Sequence, residues 1–307
     1  MKACRGCLSP LCGDASWHSS CLRALFGSNV SDVPEIFVEP SELHRLGQQM
    51  AGRTTISGVQ KKLSLGWNQR SLRVVASRSS FILKPQVEAW PRLPENEHLT
   101  MCLAKAFGLH MPAFGLVQLS NGAEAFIIRR FDRIGHGQRL PCEDFCQLSG
   151  LSPADKYEGS AEHCVKIINR FCNAPKIQLF DLYRRLLFSW WAGNGDLHLK
   201  NLSLLSFKLR ENNLSPNYDL VNTQLYLPND ELALPVAGKR SNLKRATWLE
   251  FANYCKLPSK LACSELDNLL LFEKEAREII HHSFLTDEAK EMYWNGLKAK
   301  RHWLNHF

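Results

Sequence analysis

No apolar run in this 307-residue sequence is long enough to cross a membrane. The stretch LLFSWWAG (186–193) falls far short of the roughly 20 residues a spanning helix requires. The opening residues, MKACRGCLSPLCGD, lack the apolar core of a secretory signal, so a cytoplasmic location is expected. An even cysteine count is also missing. The sequence has eleven, which suits a disulfide framework poorly, and in a reducing compartment they are expected as free thiols or metal ligands. Internal repeats and low-complexity segments are absent.

What is present is ordinary for a folded soluble chain, with 45% hydrophobic and 22% charged residues. A length of 307 supports a full core, and two lobes suit it better than one compact body. The net charge of +8 suits an anionic partner: a nucleotide, a nucleic acid or an acidic protein. It does not choose among them, and a solvated basic surface explains it equally well.

Residues 1–24 form a Cys/His-rich head, and SELHRLGQQM (41–50) reads as a short helix. VQKKLSLGWNQRSLRVV (59–75) alternates apolar and polar residues on both sides of NQ, the pattern of a hairpin. FILKPQ (81–86) is a short strand stopped by Pro85. PENEHLTMCLAKAFGL (94–109) opens on proline and closes at Gly108, as helices do. AFGLVQL (113–119) and EAFIIRRF (124–131) flank the turn SNGA, a second hairpin. Beyond about residue 140 the spacing turns helical, over 143–150, 161–172, 177–194, 246–255, 264–282 and 286–305. The boundary falls near 131–142. These patterns predict an α+β chain with a head (1–34), a strand-rich N-lobe (35–135) and a helical C-lobe (136–307), and a cleft between two such lobes is a standard ligand position.

The densest chemistry lies in GNGDLHLKNLSLL (193–205), where Asp196, His198, Lys200 and Asn201 crowd the end of an apolar run. A buried carboxylate without partners is costly, so this group must be solvent-reachable, paired or bound to a cation. Asp219 follows 23 residues after Asp196, in SPNYDLVN (215–222). An Asp, an Asn a few residues on and a second Asp after a hairpin is the arrangement phosphoryl transfer needs. One carboxylate orients or deprotonates the attacking hydroxyl, while the amide oxygen and the other carboxylate hold Mg²⁺ against the phosphates of ATP. Lys200 can neutralise charge developing on the transferred group. Taken alone, the Asp and Asn are ordinary loop residues at a helix end.

Order is what lifts them above that. A kinase needs, in sequence, a phosphate-covering loop, a strand lysine, a helix acid, a connecting hinge, a catalytic loop and a metal-binding Asp. The loop candidate is GRTTISGVQKK (52–62), thin in glycine, with Ser57 and Gly58 placed to meet nucleotide. Lys84 in FILKPQ is a strand lysine with apolar neighbours, for which a phosphate or a Glu is the fitting partner. Glu95 and Glu97 open the next helix, where acids also serve the dipole; Glu97 is favoured. FIIRRFDR (126–133) lies where the hinge belongs, with backbone groups to read adenine and Phe131 to flank the ring.

Together SGVQKKLSL, FILKPQ, LPENEHLTMCLAKAFGL, IRRFDR, EDFCQLSG, GNGDLHLKNLSLL and SPNYDL resemble the HipA-like serine/threonine kinases of bacterial toxin–antitoxin systems, over about residues 35–245. The segment ELALPVAGKRSNL (231–243) is similar to that family's later basic stretch. The resemblance is closest to the short HipT branch, because little chain precedes GVQKK. It implies a two-lobed protein-kinase-like fold, Asp196 as catalytic base, Asn201 and Asp219 as Mg²⁺ ligands and Lys84 as an ATP-phosphate contact. It further implies autophosphorylation at Thr55 and Ser57, and partners similar to the small antitoxin HipS and the DNA-binding HipB, so that DNA is met only through the antitoxin. The implied substrate is an aminoacyl-tRNA synthetase, whose phosphorylation inhibits translation. Two departures stand out. Gly195 replaces a residue that is often polar or acidic in relatives, and Arg129 sits where some carry Glu.

The head carries a separate motif. CRGC (4–7) and HSSC (18–21) give C-x2-C, ten residues, then H-x2-C. Cys4, Cys7, His18 and Cys21 thus resemble a structural zinc knuckle, with Cys12 spare; the plain alternative is thiols in a partly buried turn. Cys102, Cys142, Cys146, Cys164 and Cys172 are expected in the core. Two rival functions remain: a small-molecule phosphotransferase on the same fold, which the SGVQKK loop disfavours, and a pseudokinase or nucleic-acid adaptor, which the intact Lys84, Asp196, Asn201 and Asp219 set disfavours.

Overall fold

A computed structural model describes residues 2–39, 62–134, 138–207 and 211–305. The chain divides into two units. The first comprises residues 1–102, 112–139 and 281–286; the second comprises 103–111, 140–280 and 287–307. The expected helix at 41–50 and the loop at 52–61 lie outside the described residues.

The first unit is built on a six-stranded sheet in the order β1-β3-β2-β4-β6-β5. Its strands are β1 (Ile36–Phe37), β2 (Leu63–Asn68), β3 (Ser71–Val74), β4 (Phe81–Pro85), β5 (Phe114–Gln118) and β6 (Glu124–Arg129). All pairings are antiparallel except β1 with β3. Both hairpins read from the sequence are present. The first closes through Gln69, which takes the left-handed conformation (φ 56°) that a tight reversal demands. In the second, Phe114 faces Ile128 and Leu116 faces Phe126, while Val117 and Ala125 point the other way.

Both faces of this sheet are covered, which is why its central strands read as unbroken apolar runs. One face packs with Trp17, Leu22, Leu25 and Phe26, around the helix Ser19–Phe26, against Leu65, Leu83, Val117 and Ile127. On the other, His98 from the helix Leu93–Ala106 meets Phe114 edge-on at 5.9 Å. The Cys/His-rich head is therefore part of the first unit's core. Leu25 is fully buried there, and truncating such a leucine to alanine costs about 2–5 kcal/mol.

The second unit is mainly helical: Phe145–Leu148, Ala161–Phe171, Pro175–Trp191, Arg245–Tyr254, Ser259–His281 and Asp287–Asn305. The helix Pro175–Trp191 is buried nearly all round in its second half, and aromatic rings lock it in place. Phe188 stacks on Phe107 at 5.8 Å, Trp190 meets Trp248 at 5.6 Å, and Trp191 meets Phe272 at 5.6 Å. A small two-stranded ladder of β7 (Arg133–Ile134) and β8 (Gln138–Arg139) belongs to the first unit. A three-stranded sheet follows, of β9 (Cys142–Asp144), β10 (Ser203–Ser206) and β11 (Asn212–Leu214), with β10 in the middle. Cys102, Cys146, Cys164 and Cys172 are buried as expected, but Cys142 is only half-buried, because it lies on an edge strand.

Candidate active site

The residues expected to carry chemistry fall into two groups, one in each unit. In the first unit, Lys84 lies on β4, hydrogen-bonded on one side to β2 and on the other to β6. Only 2% of Lys84 and 1% of Glu97 is exposed, and the ammonium donates to the Glu97 carboxylate. The Phe126 ring lies 5.6 Å from the same Nζ. Of the two acids that open the helix, Glu97 thus turns to the sheet, and Glu95 accepts from Arg92 one turn back at 2.8 Å. Removing two charges from water costs several kcal/mol per ion before their attraction repays it. A pair of this kind is weak as a source of stability, so its ammonium is better explained by chemistry.

Part of the expected hinge, residues 126–129, lies within β6. β6 is an interior strand, so the backbone of residues 126–129 is committed to β4 and β5 and cannot read a base. The Arg129 amide donates to the Ala113 carbonyl, and its guanidinium reaches the Ala24 carbonyl at 3.1 Å. Phe131 is half-buried in the turn that follows. Beside it, Asp132 is gripped by Arg130 (2.7 Å) and Arg133 (3.1 Å). Burial pushes the Asp132 carboxyl up, but the two guanidiniums outweigh it and hold it below its ordinary value.

In the second unit, the helix Pro175–Trp191 ends at Ala192, and Gly193 reverses the chain with φ 71°. From here leucines alternate with polar residues. Leu197, Leu199 and Leu202 are buried in the core and fix the loop, so that Asp196, His198, Lys200 and Asn201 are set by a rigid frame. Asp196 accepts a hydrogen bond from the Tyr157 hydroxyl at 2.8 Å, and His198 Nε2 lies 4.0 Å from the same oxygen. Asn201 Nδ2 donates to the Asp196 carbonyl at 2.9 Å. That bond engages the amide nitrogen and leaves out the amide oxygen, the acceptor half that ligates a hard cation. Lys200 is paired with Asp144 at 2.6 Å, so its ammonium must leave a carboxylate before it can serve a phosphoryl group.

Asp219 is tied to this loop through its neighbour. Tyr218 donates to the Lys200 carbonyl at 2.9 Å and shares a 2.6 Å hydrogen bond with Ser203. Burial raises the Tyr218 pKa well above its ordinary value, so the phenol stays protonated. Asp219 itself adopts a left-handed backbone (φ 55°), a conformation that non-glycine residues keep only where surrounding structure enforces it. Hard oxygen donors from Asn201 and Asp219 fit Mg²⁺. Gly195 has its own reason: a Cβ there would fall 2.6 Å from the Glu231 carbonyl and into the Asp230 carboxylate, so no side chain fits.

Three sequence-named residues, Thr55, Ser57 and Gly58, lie outside the described residues. The head ligands do come together. The ligating atoms of Cys4, Cys7, His18 and Cys21 all lie within 4.8 Å of one another. Their crowding pushes the Cys7 thiol down, through hydrogen bonds from Cys21 and Cys4, and the Cys21 thiol up. Sequence reasoning missed Tyr157, Asp144 and Asp132. Tyr157 and Asp144 act on partners 39 and 56 residues away, and no local pattern marks them.

The HipA-like C-terminal domain family matches residues 54–283. The chain belongs to that family. Among its relatives, a candidate kinase of Haemophilus influenzae is 31% identical over 258 residues, covering 78% of this chain and 74% of that protein. The serine/threonine-protein kinase toxin HipA of Shewanella oneidensis is 29% identical over 199 residues, 57% of this chain and 44% of that one. The solved complex of Shewanella oneidensis HipA with HipB and operator DNA superposes with a TM-score of 0.73 at 22% identity, over 91% of this chain and 74% of that chain. The Helicobacter pylori kinase CtkA gives 0.54 at 17% identity, over 79% and 90%. The fold is thus α+β and kinase-like. Among the described residues, no helix is long and apolar enough to cross a membrane.

Proposed function

We propose that this HipA-like chain is an ATP-dependent serine/threonine protein kinase of the toxin class. The observation that carries the reading is the buried Lys84–Glu97 pair, an ammonium kept on a sheet strand at a desolvation cost that apolar residues would avoid. In the reaction, the hydroxyl oxygen of a substrate Ser or Thr bonds to the γ-phosphorus of ATP. The bond from that phosphorus to the bridging oxygen breaks, and ADP leaves. Asp196, oriented by Tyr157, receives the hydroxyl proton. Lys84 binds the nucleotide phosphates, and Glu97 orients Lys84. Asn201 and Asp219 are the residues that would hold Mg²⁺, which screens the phosphate charge when bound. Lys200 changes partners from Asp144 to the transferred group.

The finer assignment follows the short HipT branch, with an aminoacyl-tRNA synthetase as substrate, translation as the process inhibited and the cytoplasm as the location. The partners are a HipS-like small antitoxin and a HipB-like DNA-binding protein; the solved Shewanella oneidensis complex of HipA with HipB and operator DNA supports the second. Thr55 and Ser57 are the proposed autophosphorylation sites. Phosphoproteomics after brief expression of the wild type beside Asp196→Ala tests the reading. The expected result is one dominant synthetase phosphosite, together with Thr55 or Ser57, present only with wild type. Identical phosphopeptide profiles would overturn it.

A further inference from the structure

The kinase chemistry leaves the head unexplained, and the head is built around sulfur. Cys4 and Cys7 sit in the turn that closes the short Ala3–Pro10 bridge, with the Cys4 amide donating to Ser9 at 3.0 Å. His18 and Cys21 sit at the entry and in the first turn of the helix Ser19–Phe26. A turn and a helix start therefore supply one ligand pair each. The buried Cys4 sulfur accepts two backbone N–H groups, from Gly6 at 3.4 Å and His18 at 3.2 Å. Such donors suit a thiolate bound to a cation. Gly6 is required between the cysteines, since a Cβ there would stand 2.8 Å from the Cys21 Cβ and 2.9 Å from the Trp17 ring.

The same turn is seated on the sheet. β5 is an edge strand, and its Leu116 exchanges hydrogen bonds with Arg5: the amide donates to the Arg5 carbonyl at 2.8 Å, and Arg5 Nε donates to the Leu116 carbonyl at 2.9 Å. Arg5 also pairs with Glu124 on β6. Trp17 lies over Gly115, where any Cβ would fall inside the indole. On the helix side, Cys102 reaches the Gly6 carbonyl at 4.0 Å, and His98, one residue from Glu97, is enclosed beside Arg5 and Gly6.

We propose that Cys4, Cys7, His18 and Cys21 bind one Zn²⁺ tetrahedrally, and that the ion holds the Arg5 turn on the free edge of β5 and against the helix that carries Glu97. Three thiolates and one imidazole with no open position form a closed structural site, and each thiol gives its proton to solvent on binding. The ion cross-links the turn of Cys4 and Cys7 to the start of the helix Ser19–Phe26, adding to the apolar packing of that helix on the sheet.

Purified full-length chain, handled without chelator, is analysed by elemental mass spectrometry and by hydrogen exchange before and after zinc removal. One zinc per chain is expected, with faster exchange across 114–118 and 97–102 once it is removed and recovery when zinc is returned. Cys21→Ser should lose the metal, and Cys12→Ser, at an exposed thiol outside the cluster, should keep it. Where Cys21→Ser does not fold, Co²⁺ exchanged into the wild-type chain gives the answer through its thiolate-to-metal absorption. Metal-free protein that neither takes up zinc nor shows that absorption would overturn the site. Bound zinc whose removal leaves exchange at 114–118 unchanged would overturn the fastening role.

Discussion

Breaking the Lys84–Glu97 pair from one side should cost far more stability than removing it whole. Glu97→Gln leaves the ammonium of Lys84, itself 2% exposed, without its carboxylate, and Lys84→Met leaves the carboxylate at 1% exposure. Removing one partner of a buried pair costs about 3–5 kcal/mol, because the remaining charge loses its counterion. At roughly 2–4 °C per kcal/mol for a domain of this size, each single variant should melt roughly 6–20 °C below wild type. The double variant Lys84→Met with Glu97→Leu replaces both charges with apolar groups beside the Phe126 ring, and it should recover most of that loss. Its phosphoryl transfer should stay absent, since the strand cation proposed to bind the nucleotide phosphates is gone. Urea unfolding gives the stabilities, and transfer of labelled γ-phosphate gives the activity. Single variants within about 1 kcal/mol of wild type would refute the desolvation argument. A double variant that regains phosphoryl transfer would refute the role of Lys84.

The other predictions separate roles within the second unit. Asp196→Ala and Asp219→Ala should both abolish transfer, yet calorimetry with Mg·ATP should show binding kept in the first and weakened in the second; equal loss in both contradicts the assignments. Tyr157→Phe removes a hydrogen bond to a carboxylate, about 1.5–3 kcal/mol, and should lower kcat by roughly tenfold to a hundredfold while KM for ATP stays put. Burial raises Cys255 from an ordinary 9.0 to about 12 and Cys172 to about 11, so both remain thiols in the fold where the unfolded chain ionises them. Their stabilisation is fully present below pH 9 and is lost as pH rises towards 11 and 12, by about 1.4 kcal/mol per unit for each cysteine; urea midpoints at pH 8 and 10 should differ less in the Cys172→Ala, Cys255→Ala variant.

Elements with a strong local signature were legible in the sequence. The alternation on either side of NQ gave the β2–β3 hairpin, and Pro94 with Gly108 bracketed the helix of Glu97 closely. Lys84 was legible as well, because a lysine flanked by FIL on a strand has few fates other than a carboxylate or a phosphate. Residues 126–129 of the expected hinge are taken up by the sheet for a topological reason. FIIR reads equally well as an edge or an interior strand, and only the sheet order, with β6 between β4 and β5, shows that its backbone is already used. The head looked like a separate knuckle because its cysteines dominate the eye, whereas Trp17, Leu22, Leu25 and Phe26 tie it to the sheet core.

A common device runs through the site. Three of the groups proposed to act in phosphoryl transfer are each held by a side chain remote in sequence: Lys84 by Glu97 at 13 residues, Asp196 by Tyr157 at 39 and Lys200 by Asp144 at 56. The groups themselves sit on short segments whose own apolar residues are pinned, Leu83 on β4 and Leu197, Leu199 and Leu202 in the loop. Backbone position is thus set by packing and side-chain direction by long-range polar contacts. The two fail differently. Loss of a leucine should lower stability and activity together, whereas loss of a remote polar partner, Tyr157 above all, should lower activity by more than its cost in stability accounts for. A survey of variants that found activity tracking stability at Tyr157 as closely as at Leu199 would show that this carboxylate is placed by the fold as a whole and needs no dedicated partner.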